Sequence, residues 1–255
     1  MARRRRGRPV DGILVLDKPQ GMSSNQALQT AKRLYFAAKA GHTGSLDPLA
    51  TGVRPLCFGE ATKFSQYLLD ADKAYQSTFV LGTVTDSGDA EGQILATNDA
   101  SAVSEADVAK ALEAFRGEIE QVPSMFSAIK QNGQPLYKLA RQGIEVERKS
   151  RRVVIHQLEL RDFRQQGERA EVDVYLECSK GTYVRSIAED LGKALGCGAH
   201  VSVLRRTKAG PFSIEDSVSL NTLEGLKQHD ELAQMDELLL PADTAVKALP
   251  LVELA

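Results

Sequence analysis

The chain has 255 residues, of which 42% are hydrophobic and 26% charged, with a formal net charge of −2. That size and apolar content build a substantial core without a disulfide or metal staple, and the charge balance excludes a uniformly basic nucleic-acid binder while permitting a basic face. Three widely spaced cysteines, Cys57, Cys178 and Cys197, form no C-x-x-C pair, and no apolar run reaches membrane-spanning length, so the expectation is a cytoplasmic protein with no membrane contact.

In chain order, residues 1–10 read as a basic tail, with arginines at 3–6 and 8 and no apolar segment behind them that would make a secretory signal. Gly12 to Leu16 predicts a buried strand, ended by Lys18-Pro19-Gln20-Gly21. Ser23 with Gln26 three residues on has the pattern of a capping box that opens a helix through about Phe36. A glycine-rich loop, Gly41 to Gly52, follows. After it come a short strand over 53–58, an amphipathic helix over 61–69 and a strand over 75–84 with polar and apolar residues interleaved. The acidic run Asp86-Ser87-Gly88-Asp89-Ala90-Glu91 misses the calcium-loop spacing and reads as a solvated hairpin. Ser104 and Asp107 cap a helix over 106–115. Asn132-Gly133 marks a tight turn before a short helix over 136–141. Strands over 153–163 and 170–178 meet at a polar turn, 187–195 is a helix closed by Gly196, and 200–206 alternates as a strand. Past Pro211 the chain turns helical and acidic. Paired strands with segregated helices and no βαβ rhythm predict an α+β fold on a mixed sheet rather than a Rossmann fold.

The glycine loop carries the chemistry. It holds Gly41, Gly44 and Gly52, His42, and a single carboxylate, Asp47, whose backbone Pro48 biases towards extended values. A lone positioned carboxylate with no ligand cluster around it suits a nucleophile or base acting alone; an Asp-Pro turn or a helix N-cap fits the same residues. Phosphate-loop, dinucleotide and nucleophile-elbow motifs are missing, and the four histidines are scattered, so no metal site is expected. Lys18 ends a buried strand, and Tyr75 opens one after a charged turn. In Ser179-Lys180-Gly181-Thr182-Tyr183-Val184-Arg185, an extended backbone would send Tyr183 and Arg185 to the same side. An arginine facing a lone aspartate would hold it ionised and oriented. The plain alternatives are half-buried core tyrosines, a surface ion pair for Arg185 and a core strand residue for Leu204. Basic clusters recur at 148–152 and at Arg205, Arg206 and Lys208.

Four ordered segments resemble a known family. Gly12 to Ser24 resembles the opening of the bacterial tRNA pseudouridine 55 synthases, the TruB family. Gly41 to Gly52 is similar to their catalytic loop, Pro123 to Lys130 to the start of their mobile thumb, and Ser179 to Arg185 with Asp190-Leu191-Gly192 to their third motif. The resemblance covers residues 11 to about 250. It implies a pseudouridine synthase fold, with a largely antiparallel central sheet, flanking helices and a catalytic cleft across the sheet. It also implies isomerisation of one flipped-out uridine in the tRNA T loop. By this resemblance Asp47 is the nucleophile, Arg185 its arginine partner, and Tyr75 a catalytic and stacking residue. His42, Tyr183, Leu204 and Lys18 are substrate contacts.

No metal and no small-molecule cofactor are implied; the partner is the T-arm stem-loop of tRNA, met by a monomer. The expected organisation is a tail over 1–10, a catalytic domain over 11–250 with a thumb-like insertion at about 124–152, and at 251–255 the start of a PUA-type RNA-binding domain that is otherwise absent. Two readings compete: an RNA-folding chaperone, and a glycoside hydrolase, which generally needs a second carboxyl in the site.

Overall fold

The computed structural model describes residues 7–247; residues 1–6 of the expected tail and the expected domain start at 251–255 lie outside them. In chain order the elements are β1 (Gly12–Lys18), α1 (Ser24–Leu34), β2 (Ala40–His42), β3 (Thr51–Phe58), α2 (Ser65–Asp70), β4 (Lys73–Leu81), β5 (Thr83–Thr85), β6 (Ile94–Thr97), α3 (Glu105–Glu113) and β7 (Gly117–Gln121). Then follow β8 (Lys130–Gln131), β9 (Gln134–Pro135), α4 (Leu136–Ala140), β10 (Arg151–Gln166), β11 (Arg169–Cys178), α5 (Val184–Ala194) and β12 (Ala199–Ala209). The last are β13 (Phe212–Ser213), β14 (Val218–Ser219), α6 (Leu220–Gln228) and α7 (Leu232–Glu237). The fold is mixed α+β with mostly antiparallel strand pairing, as expected. It divides into two compact units, Met1–Lys73 with Arg205–Ala255, and Ala74–Leu204.

In the first unit β1 is the organising strand. It pairs antiparallel with β3 from Gly12↔Phe58 to Lys18↔Gly52 and parallel with β14, while β3 pairs parallel with β12 at Arg205↔Thr51. Successive side chains leave a strand on opposite faces. Leu14 and Leu16 therefore pack with Ala27, Leu28 and Ala31 of α1 and with Leu220 and Leu223 of α6. Ile13 and Val15 meet Val53, Cys57 and Phe212 on the other face. A strand covered on both sides is apolar throughout, which is why this one shows no alternation. The capping box of α1 forms as predicted, with Ser23 and Gln26 satisfying each other's backbone N–H. The predicted helix over 61–69 is instead a 3-10 stretch, Gly59–Phe64, followed by α2. The hydroxyls of Thr62 and Ser65 each donate to the carbonyl three residues back, which favours the tighter winding.

In the second unit the strands run in the order β4-β11-β10-β7, and β10 pairs antiparallel with both β11 and β7. Along β11, Ala170, Val172, Val174, Leu176 and Cys178 are buried while the residues between them are not, so one face carries the core. The strand predicted over 75–84 breaks at Gly82, which has φ +88. A side chain there would come within 2.9 Å of the Asn98 and Glu168 carbonyl oxygens. β5 then turns into a separate hairpin with β6. The three cysteines are free and buried. Among the described residues no helix is long and apolar enough to cross a membrane.

One buried charge stands out. Arg54 of β3 is 0% exposed, and its Nη1 donates to the Gly44 carbonyl at 2.8 Å, but its Nε and Nη2 have no hydrogen-bond partner among the described residues. Burial, then the charge of Arg206, push its pKa down to about 9, so it is still a cation at neutral pH. An unbalanced buried charge is costly, and apolar replacements at such places are often stabilising. Arg54→Leu is expected to gain about 1 kcal/mol, a rise of roughly 2–4 °C in thermal midpoint. A thermal melt of the two proteins checks this; a fall would show that the tether to Gly44 outweighs the desolvation.

Candidate active-site residues

The predicted site residues divide between the units. Lys18, His42 and Asp47 belong to the first; Tyr75, Tyr183, Arg185 and Leu204 belong to the second.

In the first unit, β2 ends at His42 and β3 begins at Thr51, and the intervening loop is tied down on both sides of Asp47. On one side Ser24, at the start of α1, donates its hydroxyl to the Leu46 carbonyl at 2.9 Å and accepts the Leu46 N–H at 2.7 Å. On the other, the Pro48 carbonyl accepts the Gly21 N–H at 2.8 Å and the Lys18 ammonium at 3.3 Å. Lys18 is 0% exposed and also donates to the Pro19 carbonyl at 2.8 Å. The chain thus folds the end of β1 and the start of α1 onto the two residues flanking Asp47, and leaves Asp47 itself half-buried. Its own carbonyl accepts the Ala50 N–H at 3.1 Å, a short turn like the one its Asp-Pro sequence suggests. Gly52 closes the loop with φ +99, and a side chain there would strike the Arg206 carbonyl oxygen at 2.1 Å. The His42 pKa is lowered, first by burial and then by the Arg54 charge, so the ring is neutral at physiological pH.

In the second unit Tyr75 and Leu204 are buried side chains of β4 and β12. Tyr183 is the extended N-cap residue of α5, and its backbone N–H and carbonyl both bond the side-chain amide of Gln121, at 3.0 and 3.2 Å. The extended run expected through Arg185 does not form, because α5 begins at Val184. Arg185 lies in the first turn of that helix and is 3% exposed. Its guanidinium donates to the Ser87 carbonyl at 2.6 Å and the Phe126 carbonyl at 2.9 Å, and stands 3.7 Å from an Asp89 carboxylate oxygen.

The acidic run from Asp86 lies in the turn of the β5–β6 hairpin, as expected, but it is not solvated throughout. Asp89 is 5% exposed and accepts the Ser87 hydroxyl at 2.6 Å and the Glu91 N–H at 3.1 Å. Backbone bonds between Ala90 and Val201 and between Val201 and Gly88 draw the turn inward. Ser87, Asp89 and Gln121 escaped the sequence reading. The usable signal was Arg185 itself: an arginine in an apolar helix face calls for an acid, and the turn richest in acids was the place to look. In the basic segment, Arg148 donates to the Pro123 carbonyl at 3.2 Å, while Arg152 faces Glu118 at 3.4 Å. Among the described residues no cluster of three or more His, Cys, Asp or Glu side chains could hold a metal ion.

Solved structures share this fold. A chain of a Cbf5-Nop10-Gar1 complex matches with a TM-score of 0.71 and 30% identity, covering 94% of this chain, which spans 62% of that one. A chain of an H/ACA RNP bound to a substrate RNA containing 2′-deoxyuridine matches with a TM-score of 0.70 and 26% identity, over 98% of this chain and 68% of its own. Residues 32–184 match the N-terminal domain of TruB family pseudouridylate synthases, and residues 185–247 match a tRNA pseudouridylate synthase B C-terminal domain. The molecule is an isomerase of the pseudouridylate synthase class. It belongs to the TruB family. A tRNA pseudouridine synthase B of Saccharophagus degradans is 58% identical over 99% of this chain and 80% of its own, and one of Pseudomonas aeruginosa is 56% identical over 97% and 80%.

The Asp89–Arg185 contact has a stability consequence. Removing an acid 3.7 Å from a buried guanidinium takes away part of its charge compensation, and breaking buried pairs is destabilising. Asp89→Ala is expected to lose about 3 kcal/mol, read from urea unfolding. A loss below about 1 kcal/mol, the worth of an ordinary hydrogen bond, would mean that the remaining partners of Arg185 hold it without Asp89.

Proposed function

We propose that this protein converts the T-loop uridine of tRNA to pseudouridine, with Asp47 as the nucleophile. The reading is supported by family membership and by relatives named tRNA pseudouridine synthase B. The observation that carries the role of Asp47 is its loop, fixed at Leu46 and at Pro48 with the carboxylate between them. Such fixing is what a reacting group needs: small errors in placement cost large factors in rate.

The reaction breaks the bond from ribose C1′ to uracil N1, turns the base and rejoins C1′ to C5, and the C5 proton departs. It is redox-neutral and transfers no phosphate. A carboxylate with a reference pKa of about 3.9 is ionised at neutral pH and attacks without a separate activating base. Attack at C1′, attack at C6 and assistance of a glycal route all start from that ionised form. In the proposal Arg185 steadies the carboxylate charge, and Tyr75 stacks on the base and serves the proton step. His42, neutral, fills the space the base leaves; Leu204 packs on the extruded uracil; Tyr183 completes the substrate contacts, while Lys18, fully buried on the Pro19 and Pro48 carbonyls, positions the Asp47 loop instead of touching substrate.

Extruding a base costs a few kcal/mol, of the order that stacking on an aromatic side chain returns. The proposed catalytic domain is 11–250, with the segment 124–152 as a thumb that carries the β8–β9 hairpin and α4. The enzyme acts as a cytoplasmic monomer on the T-arm stem-loop.

Asp47→Asn keeps the side chain's shape and removes its charge. Tritium release from C5-labelled T-arm RNA is expected to vanish while RNA binding stays within about twofold, a small fraction of the 1.4 kcal/mol that a decade represents. Undiminished release would reject Asp47 as nucleophile. Binding lost together with release would show that the carboxylate serves recognition rather than chemistry.

A further inference from the structure

Phe36 is out of place twice. It is 62% exposed, and its φ of +48 lies in the left-handed region that bulky side chains avoid. The hydrogen bonds show why the backbone adopts it. The Phe36 N–H donates to the Arg33 carbonyl and the Ala37 N–H to the Lys32 carbonyl, both at 3.0 Å. That is the Schellman closure of α1, with Phe36 where glycine or asparagine is usual. The turn is held further by the Arg8 N–H on the Phe36 carbonyl at 2.6 Å and the Ala38 N–H on the Arg8 carbonyl at 2.9 Å. The turn would close as well around a glycine, so neither packing nor backbone calls for a phenyl ring. A lone exposed aromatic needs no explanation, but one that also strains its backbone does.

The neighbours in sequence supply a second observation. Lys32 and Arg33 form the basic last turn of α1, and Lys39 follows three residues after Phe36. None of the three makes an ion pair with another described residue. By contrast Arg8 is held by Asp236 through two bonds of 2.6 and 2.7 Å, and Lys193 pairs with Asp190 at 3.0 Å. Cations left unneutralised within four residues of an exposed ring suit a partner that is both polyanionic and flat-faced. A protein partner with an apolar groove would have to desolvate those charges without compensation.

We propose that Phe36, with Lys32, Arg33 and Lys39, forms an RNA contact surface outside the Asp47 loop, the ring stacking on an unpaired base and the cations facing phosphates. This rests on the tRNA reading above and adds a contact that the family resemblance does not supply. Single-stranded nucleic acid is bound in this way by aromatic platforms set among basic side chains.

Two variants test it. Phe36→Asn gives the turn a residue suited to left-handed backbone, and Phe36→Tyr keeps the ring. With full-length tRNA, Phe36→Asn is expected to weaken binding by about five- to a hundredfold, the range of one stacked base. The loss should fall on KM rather than kcat, and the thermal midpoint should rise as strain is relieved. Phe36→Tyr should bind like the parent. Equal affinity of the parent and Phe36→Asn overturns the proposal, as does a loss of self-association in Phe36→Asn with tRNA affinity unchanged. Failure of the parent itself to bind or isomerise tRNA is a separate result: it overturns the tRNA reading, and this surface with it.

Discussion

The structure depends on one constraint: the residues either side of Asp47 are bonded to the segment that runs from the end of β1 to the start of α1. Leu46 is held by the Ser24 hydroxyl, and Pro48 by the Gly21 N–H and the Lys18 ammonium. These anchors are themselves rigid. Lys18 is the last residue of a strand whose two faces are both in the core, and Ser24 is the first residue of a helix whose N-cap box is complete. A loop with glycines at 41, 44 and 52 would otherwise be free to fluctuate. The cost of ordering it is met by the packing of β1 and α1 in the core. A reacting carboxylate can then stay partly open to solvent without losing its position.

The buried cations repeat this device. Lys18 donates to the Pro19 and Pro48 carbonyls, Lys73 to those of Leu68, Leu69 and Ala71, Arg54 to Gly44, Arg206 to Val53, and Arg185 to Ser87 and Phe126. A main-chain carbonyl is an acceptor that every residue carries. It satisfies a cation's hydrogen bonds without cancelling its charge, and it fixes a stretch of backbone while doing so. A guanidinium has several donors in a rigid fork, so Arg185 can bind two separate segments, the turn at Ser87 and the chain at Phe126. Asp89 adds an acid to that cluster, and it is held in turn by Ser87 and Glu91.

The same device explains what was and was not legible in the sequence. Elements governed by side-chain pattern were readable: β1 from its apolar run, α1 and α3 from their capping boxes, β11 from its alternation. Asp47 stood out because a lone acid in a glycine loop is unusual. What carbonyls decide left no trace. Nothing in the residue identities says that Ser87 or Phe126 will offer an oxygen to Arg185, or that Gly44 will accept from Arg54. The turn at 86–91 looked solvated because acids are normally outside. Its burial follows from backbone bonds to Val201, more than a hundred residues away. The helix expected over 61–69 forms from Ser65 on, and its first half winds as 3-10 for a local reason of the same kind, two hydroxyls bonding carbonyls three residues back.

Net charge is a poor guide to this molecule for a related reason. Several arginines on the surface of the second unit face acids: Arg164 meets Asp162, Glu171 and Asp173, Arg161 meets Glu159, and Arg152 meets Glu118 and Glu120. Such exposed pairs add little stability. They do cancel the field that a count of arginines would suggest. The charge available to a polyanion is set instead by the cations that find no acid, such as Lys32, Arg33 and Lys39 around the end of α1. A chain with a formal charge of −2 can therefore offer phosphate a positive face, because what a phosphate meets within a Debye length of about 8–10 Å is the local residue and not the sum.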